Sequence, residues 1–196
     1  MTDYFALLDQ PRLPWLDLEE LKNRFHQKTL SAHPDTQTAS DSTRETDSSF
    51  AIVNEAYQVL QDPKRRLHHL LTLENSAPAS AGQTIPRQLE DLFPAVNALT
   101  QQAQSLLEKI SATSTALSRS LLQPQIRQLR EEAEAVAGKL GTISSASLAK
   151  LQASNRTWSP SSPEEVTRLS DLYYTFAYLT RWMAQLDEIR FQLSVH

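Results

Sequence analysis

A chain of 196 residues is long enough for two small domains, and its 3 glycines supply few of the tight turns that β-hairpins need. A formal net charge of -4 argues against a nucleic-acid-binding protein, because contacts with phosphates need a basic surface. The absence of cysteine excludes disulfides, thiolate catalysis and cysteine-ligated zinc or iron–sulfur clusters. Alanine, leucine, glutamine and glutamate are plentiful, so we expect an all-α protein.

The sequence carries no sign of targeting, cofactor binding or catalysis. Its first residues lack the basic region and apolar run of a secretory signal, and no apolar stretch is long enough to span a bilayer. There is no nucleotide-binding glycine pattern, no nucleophile–base pair and no metal-spaced cluster, and the adjacent His68 and His69 point apart on a helix. We therefore expect a cytoplasmic protein that binds no membrane, holds no cofactor or metal, and is not an enzyme.

The N-terminal part predicts two helices separated by prolines. Asp3 to Leu8 reads as a short first helix, after which Pro11 and Pro14 interrupt the backbone. Asp17 predicts the N-cap of a second helix, with Glu20 in the capping-box position. An apolar stripe along this second helix is expected to face a partner helix and consists of Leu18, Leu21, Phe25 and Ala32.

Basic residues border that stripe on both sides, with Lys22 and His26 on one flank and Arg24 and Lys28 on the other. Charge alone favours an ordinary solvated face. The His33-Pro34-Asp35 tripeptide that follows favours a functional surface instead. Pro34 stops the helix at or near His33, because proline disfavours helical geometry in the preceding residue.

Two further helices are predicted after a polar segment. Residues 36–49 lack apolar periodicity and read as a mobile loop. The third helix carries Phe50, Val53, Tyr57 and Leu60 on one face, a spacing suited to antiparallel packing against the second helix. Asp62-Pro63 ends the third helix and starts the fourth. The apolar face of the fourth helix consists of Leu67, Leu70, Leu71 and Leu73.

These features, in this order, resemble the J domain of the DnaJ-type co-chaperones over roughly residues 3–73. The resemblance implies an antiparallel helical hairpin, with short flanking helices, that presents the tripeptide at its tip. It also implies docking on a heat-shock-70 (DnaK/HscA-type) chaperone and stimulation of ATP hydrolysis by that partner. The chaperone-binding residues it implies are Lys22, His26, His33, Pro34 and Asp35.

The docking face departs from the family pattern. Gln27, Ser31 and Ala32 stand where further basic or aromatic residues are common, and Thr36 replaces the usual basic residue after the aspartate. A less basic face is expected to dock more weakly, because opposite charges set the encounter rate and much of the orientation.

Composition divides the chain after the fourth helix. Residues 75–82 are small, polar and turn-forming, which predicts a J domain over 1–74, a linker over 75–85 and a C-terminal helical bundle over 86–196. In the bundle, Pro94 is expected to kink or divide the first helix. A second helix is expected to follow Pro124 and to stop at Gly141, and residues 144–154 read as a short helix.

The last predicted helix begins at Ser162-Pro163 and is apolar on more than one side. It reads either as a central bundle helix or as an exposed aromatic surface for a client, and the first interpretation is favoured.

A J domain followed by a small helical bundle is similar to the HscB family, the co-chaperones of bacterial iron–sulfur cluster assembly. This resemblance implies an iron–sulfur scaffold protein as the client. The client-binding segment comparable by position consists of Leu89, Leu92, Phe93 and Val96. Two alternatives stay open, namely a J-domain co-chaperone with another client, and a J-like structural or interaction module that has lost stimulation.

Overall fold

The computed structural model describes residues 1–31, 43–74, 76, 85–113 and 115–195, and within these ranges the chain is helical without a β-strand. The predicted all-α class is confirmed. In chain order the helices are α1 (Tyr4–Leu7), α2 (Leu18–Ser31), α3 (Thr43–Gln61), α4 (Pro63–Leu73), a 3₁₀ helix (Arg87–Leu92), α5 (Phe93–Ser111), α6 (Ala116–Ser154) and α7 (Pro163–Ser194). Across the described ranges, none of these helices has the length and apolarity that crossing a bilayer requires.

The chain forms two compact units. The first consists of Met1–Ala81 with Leu148–Tyr173, and the second of Gly82–Ser147 with Tyr174–His196. Helices α6 and α7 therefore contribute residues to both units. The division into a J domain over 1–74, a linker over 75–85 and a bundle over 86–196 stays a prediction, and most of that linker lies outside the described residues.

Aspartate side chains start α1, α2 and α4 where the sequence predicts them. The Asp3 carboxylate accepts hydrogen bonds from the backbone N–H groups of Phe5 and Ala6, at 3.0 and 3.2 Å. The Asp17 carboxylate accepts from the second and third residues of α2, at 2.9 and 3.1 Å. Asp62 caps α4 in the same way, accepting from Arg65 at 2.7 Å. Each cap satisfies donors that the helix itself leaves unpaired, which is typically worth about 1 kcal/mol.

The α2–α3 hairpin confirms the later residues of each predicted stripe that the structure describes and corrects the first residue of each. Leu21 and Leu60 are fully buried, and the ring of Phe25 stacks on Tyr57 with the centroids 4.4 Å apart. By contrast, Leu18 and Phe50 are 53% and 47% exposed. Helical periodicity assigns a side chain to a face but does not say how far along that face the partner helix reaches. Ala32 lies outside the described residues.

The loop predicted over 36–49 is wrong in its second half. Helix α3 begins at Thr43, seven residues before the apolar stripe starts at Phe50, and residues 36–42 lie outside the described part of the chain. Extending an existing helix by one residue fixes only two dihedral angles for each new hydrogen bond, so a packed helix can grow into a polar stretch. The lack of apolar periodicity before Phe50 therefore did not exclude helix over residues 43–49.

Arg66 is buried in the first unit with 2% of its surface exposed. Its Nε donates to the carbonyl oxygen of Pro14 at 2.8 Å, and its Nη1 donates to the carbonyl oxygen of Leu60 at 2.6 Å. Burial lowers the pKa of this guanidinium to about 10, although the charge of Asp62 acts in the opposite direction. The side chain thus ties the segment before α2 to the end of α3, and it uses backbone carbonyls rather than a carboxylate.

Residues 148–173 belong to the first unit through contacts with the segment that precedes α2. The side-chain amide of Asn155 pairs with the backbone of Trp15, accepting from its N–H at 2.9 Å and donating to its carbonyl at 2.8 Å. The indole N–H of Trp158 donates to the carbonyl of Arg12 at 3.2 Å. Leu151 is fully buried, so the contact has an apolar core as well as directional bonds.

The second unit is a bundle of α5, the first part of α6 and the last part of α7. Gln185 of α7 donates to Thr100 Oγ1 of α5 at 2.6 Å, and Arg190 of α7 lies 2.5 Å from Glu134 of α6. Its buried apolar residues repeat at spacings of three and four on each helix. They include Val96, Leu99, Ala103, Leu106, Ile110, Ile126, Leu129, Ala133, Val136, Leu140, Phe176, Leu179, Trp182, Leu186, Ile189 and Leu193.

Two predicted boundaries in the bundle are confirmed and two are wrong. The 3₁₀ helix ends before Phe93 and α5 has Pro94 in its first turn, so Pro94 lies where the first predicted bundle helix is divided in two. Helix α7 begins at Pro163, as predicted. However, α6 runs through both Pro124 and Gly141 and includes the predicted short helix over 144–154. An interior proline costs a helix about 3 kcal/mol and a glycine about 1 kcal/mol, which the buried residues of this long helix offset.

Candidate functional site

The His33-Pro34-Asp35 tripeptide lies outside the described residues, which stop at Ser31 and resume at Thr43. The structure therefore describes the two helices that precede and follow it in sequence. Helix α2 packs against α3, as the predicted hairpin requires. The assignment of the tripeptide as the stimulatory signature stays a prediction.

Helix α2 exposes the two basic residues predicted beside the tripeptide. Lys22 and His26 are both exposed and lie one helical turn apart, and the burial of Leu21 fixes which side of α2 faces the core. On the other flank Arg24 is half-buried and Lys28 makes a salt bridge with Asp9. The arrangement offers positive charge to solvent and can attract an acidic protein surface.

His69 holds α1 against α4 and has a structural role that the sequence did not indicate. Its Nε2 accepts a hydrogen bond from the backbone N–H of Tyr4 at 3.1 Å, so the ring is neutral with its proton on Nδ1. The ring also stacks on Tyr4, with the centroids 4.5 Å apart. Burial lowers the pKa of His69. The nearby Asp3 charge acts in the opposite direction, and the charges of His68 and Arg12 lower the pKa further.

This buried histidine should make the free energy of unfolding depend on pH. Because the pKa of His69 is lower in the folded state than its ordinary 6.5, the unfolded chain binds more protons as the pH falls below that value. Stability is therefore expected to be lost on acidification from pH 6.5 towards the lower folded-state pKa. His69→Gln, whose amide oxygen can accept the same bond, should flatten this dependence in urea titrations.

The matched control for that experiment is His26→Gln, which removes an exposed histidine from α2. It should retain the pH dependence of the unmodified chain. If the control flattened the profile as much as His69→Gln did, the acid sensitivity would not come from the buried ring.

The predicted client-binding segment is mostly buried. Leu89 and Val96 are 0% and 1% exposed, and Leu92 is half-buried. Phe93 is 38% exposed, and its ring stacks on Trp182 of α7 with the centroids 6.2 Å apart. Of the four predicted residues, Phe93 therefore offers the largest accessible apolar surface. The sequence did not indicate the contact with Trp182, and the signal that could have suggested it was that the last predicted helix is apolar on more than one side.

Among the described residues, no cluster of three histidine, aspartate or glutamate side chains is placed to hold a metal ion.

Residues 3–69 match the family model of the DnaJ domain. Together with the α2–α3 hairpin, this match identifies the N-terminal part of the chain as a J domain. The chain as a whole is similar to the HscB co-chaperones. It is 34% identical over 85 residues to the co-chaperone protein HscB of Proteus mirabilis, a match that covers 42% of this chain and 49% of that protein.

A second relative is the iron-sulfur cluster co-chaperone protein HscB of Mus musculus, which is 30% identical over 119 residues, covering 58% of this chain and 51% of that protein. The chain thus spans about half the length of these curated relatives. Among solved structures, chaperone HscB from Vibrio cholerae matches 98% of this chain and 99% of its own, with a TM-score of 0.62 and 22% identity. That match shows the fold, a J domain followed by a C-terminal helical bundle.

Proposed function

We propose that this chain is a J-domain co-chaperone that docks on a heat-shock-70 chaperone of the DnaK type and stimulates its ATP hydrolysis. The observation that carries the proposal is the match of residues 3–69 to the DnaJ domain, which spans a complete His33-Pro34-Asp35 tripeptide. The packed α2–α3 hairpin supports it, because the tripeptide lies in the sequence between these two helices. In this role the chain performs no chemistry of its own.

Each docking residue has a physical role in the proposal. Asp35 offers a charged acceptor and His33 a polar ring, while Pro34 fixes the backbone angle φ between them. Lys22 adds positive charge on α2 that attracts an acidic partner, and His26 offers a polar ring one turn away. Since Gln27 and Thr36 contribute no charge, docking should be weak, and salt should screen the remaining attraction of Lys22. A cytoplasmic location stays a prediction of the sequence.

The direct test is the rate at which a purified DnaK-type chaperone hydrolyses ATP in a single turnover. Adding the intact chain should raise this rate in a saturable manner, and added salt should raise the concentration needed for half-saturation. An unchanged hydrolysis rate at saturating concentrations of the chain, with the cognate chaperone, would favour the alternative of a J-like module without stimulation.

We further propose that the client is a scaffold protein of iron–sulfur cluster assembly. Two observations support this choice over another client. The fold match to chaperone HscB extends over nearly the whole of both chains, and the mouse relative is named for iron–sulfur clusters. Within the predicted segment, Phe93 and the half-buried Leu92 supply the accessible apolar contact, whereas Leu89 and Val96 hold that segment on the bundle.

Phe93→Ser should weaken binding of the scaffold protein by about tenfold, because exposed aromatic side chains commonly dominate binding energy. Its ring is accessible and already stacks on Trp182, so the side chain loses little conformational entropy on binding. Isothermal titration of the intact chain with the purified scaffold gives the dissociation constant.

Phe191→Ser is the matched control, because Phe191 is a 66% exposed phenylalanine in the same unit. It should bind the scaffold as the unmodified chain does. Equal weakening by both variants would remove Phe93 from the proposed contact. If the unmodified chain bound no scaffold, the client would be a different protein.

A further inference from the structure

Asp9, in the segment between α1 and α2, makes an ion pair with the basic helix α2. Its Oδ2 lies 2.8 Å from Nζ of Lys28, and the two side chains are 50% and 37% exposed. Its backbone φ is 50°, and no other residue in the described ranges, glycine included, has a positive φ. Aspartate and asparagine are the non-glycine residues that adopt this left-handed conformation most readily. The turn therefore accepts either residue, but only aspartate brings a charge to it.

The ion pair neutralises Lys28, one of the two basic residues on one flank of α2. Successive residues of an α-helix are about 100° apart, so Lys22 and His26 lie on one side of the buried Leu21, and Arg24 and Lys28 on the other. Asp9 contacts the second flank through Lys28. Lys22 is exposed and makes no salt bridge in the described residues. The second flank keeps the half-buried Arg24, so Lys22 is the one lysine or arginine among the described residues of α2 that is both exposed and without a salt bridge.

We propose that Asp9 is a specificity-determining residue for docking on the chaperone. By masking Lys28 it lowers the attraction of the second flank for an acidic surface, so that a partner approaches through Lys22 and His26. This inference rests on the proposed co-chaperone function. Opposite charges across an interface set both the encounter rate and the orientation, so an internal counter-ion on one flank suppresses encounters in the wrong register.

A purely stabilising role accounts poorly for this ion pair. Both side chains are substantially exposed, and salt bridges between exposed groups contribute little to folding stability. The charge of Asp9 nevertheless lies within a Debye length of Lys28 on α2, so it changes the electrostatic potential that an approaching protein meets. A change at Asp9 should therefore appear in association kinetics more than in unfolding.

Asp9→Asn tests the inference, because asparagine tolerates the same backbone conformation and lacks the charge. Stopped-flow association of the full chain with a purified DnaK-type chaperone at low ionic strength should be about two- to threefold faster, with a steeper dependence on salt. Lys28→Gln alone should slow association by a similar factor, because it leaves the negative charge of Asp9 unpaired on that flank. The double variant Asp9→Asn with Lys28→Gln should return to the rate of the unmodified chain.

Glu164→Gln is the control for net charge, since it removes one exposed carboxylate from the same compact unit. An equal acceleration by Glu164→Gln, or no acceleration by Asp9→Asn, would overturn the inference. Lys22→Glu separates it from the proposed function, because that variant should lose stimulation whatever the role of Asp9. If the unmodified chain neither binds nor stimulates the chaperone, both the function and the inference fail.

Discussion

Asp35→Asn is expected to reduce stimulation of the chaperone's ATPase by at least about tenfold, which corresponds to roughly 1.4 kcal/mol of lost interaction. The substitution keeps the size of the side chain and removes its charge. Hydrogen bonds that involve an ionised carboxylate are about twice as strong as neutral ones, so docking should lose its main charged acceptor. Single-turnover ATP hydrolysis, measured against concentration of the chain, separates a lower maximal rate from weaker binding.

Asp91→Asn provides the control, because Asp91 is an exposed aspartate of the second unit with no proposed role in docking. It should stimulate as the unmodified chain does. The far-ultraviolet circular dichroism spectrum of both variants should show the same helix content. Full stimulation by Asp35→Asn would show that the tripeptide does not act as proposed, even if the chain still binds the chaperone.

Arg66→Ala is expected to lower the free energy of unfolding by about 3–5 kcal/mol. Truncation leaves the carbonyl oxygens of Pro14 and Leu60 without their donor, and it opens a cavity at a position that is 2% exposed. Unlike an arginine in a buried salt bridge, Arg66 leaves no orphaned carboxylate when it is removed. The loss of folding stability therefore comes from backbone carbonyl groups left without their hydrogen bonds and from the cavity that the side chain leaves.

Urea unfolding followed by circular dichroism measures this change through a lower midpoint at an unchanged slope. Arg65→Ala is the matched control, because the neighbouring arginine is exposed and its loss should cost less than about 1 kcal/mol. Arg66→Lys should fall between the two, since an ammonium cannot reach both carbonyls in the geometry of the planar guanidinium. A cost for Arg66→Ala no larger than that of the control would contradict the anchoring role.

Local chemistry made most helix starts predictable from the sequence. Asp17, Asp62 and the Ser162-Pro163 pair each begin a helix where expected, because a capping side chain or a first-turn proline acts within a few residues of itself. The J-domain resemblance had the same basis, since the order and spacing of short motifs can be read directly from the chain. Its match over residues 3–69 confirmed that part of the interpretation.

Glycine and proline were less reliable signals of helix boundaries inside the bundle. Gly141 and Pro124 read as a stop and a start, yet α6 passes through both. Their intrinsic costs are a few kcal/mol at most, and burial of one face of a long helix can outweigh them. The exposure of Leu18 and the burial of Leu89 follow the same principle, because the extent of a packed interface depends on the partner helices.

By itself, the sequence determined the helical class, the capped helix starts and the motif order of a J domain, because each depends on residues close together in the chain. Only the tertiary structure decided which distant residues form the hydrogen bonds and ion pairs that hold the first unit together. Arg66 meets a carbonyl 52 residues away, and Asn155 meets the backbone of Trp15 across 140 residues. The Asp9–Lys28 pair is of the same kind. No periodicity encodes such contacts, since they form only where folding brings distant segments into hydrogen-bond distance.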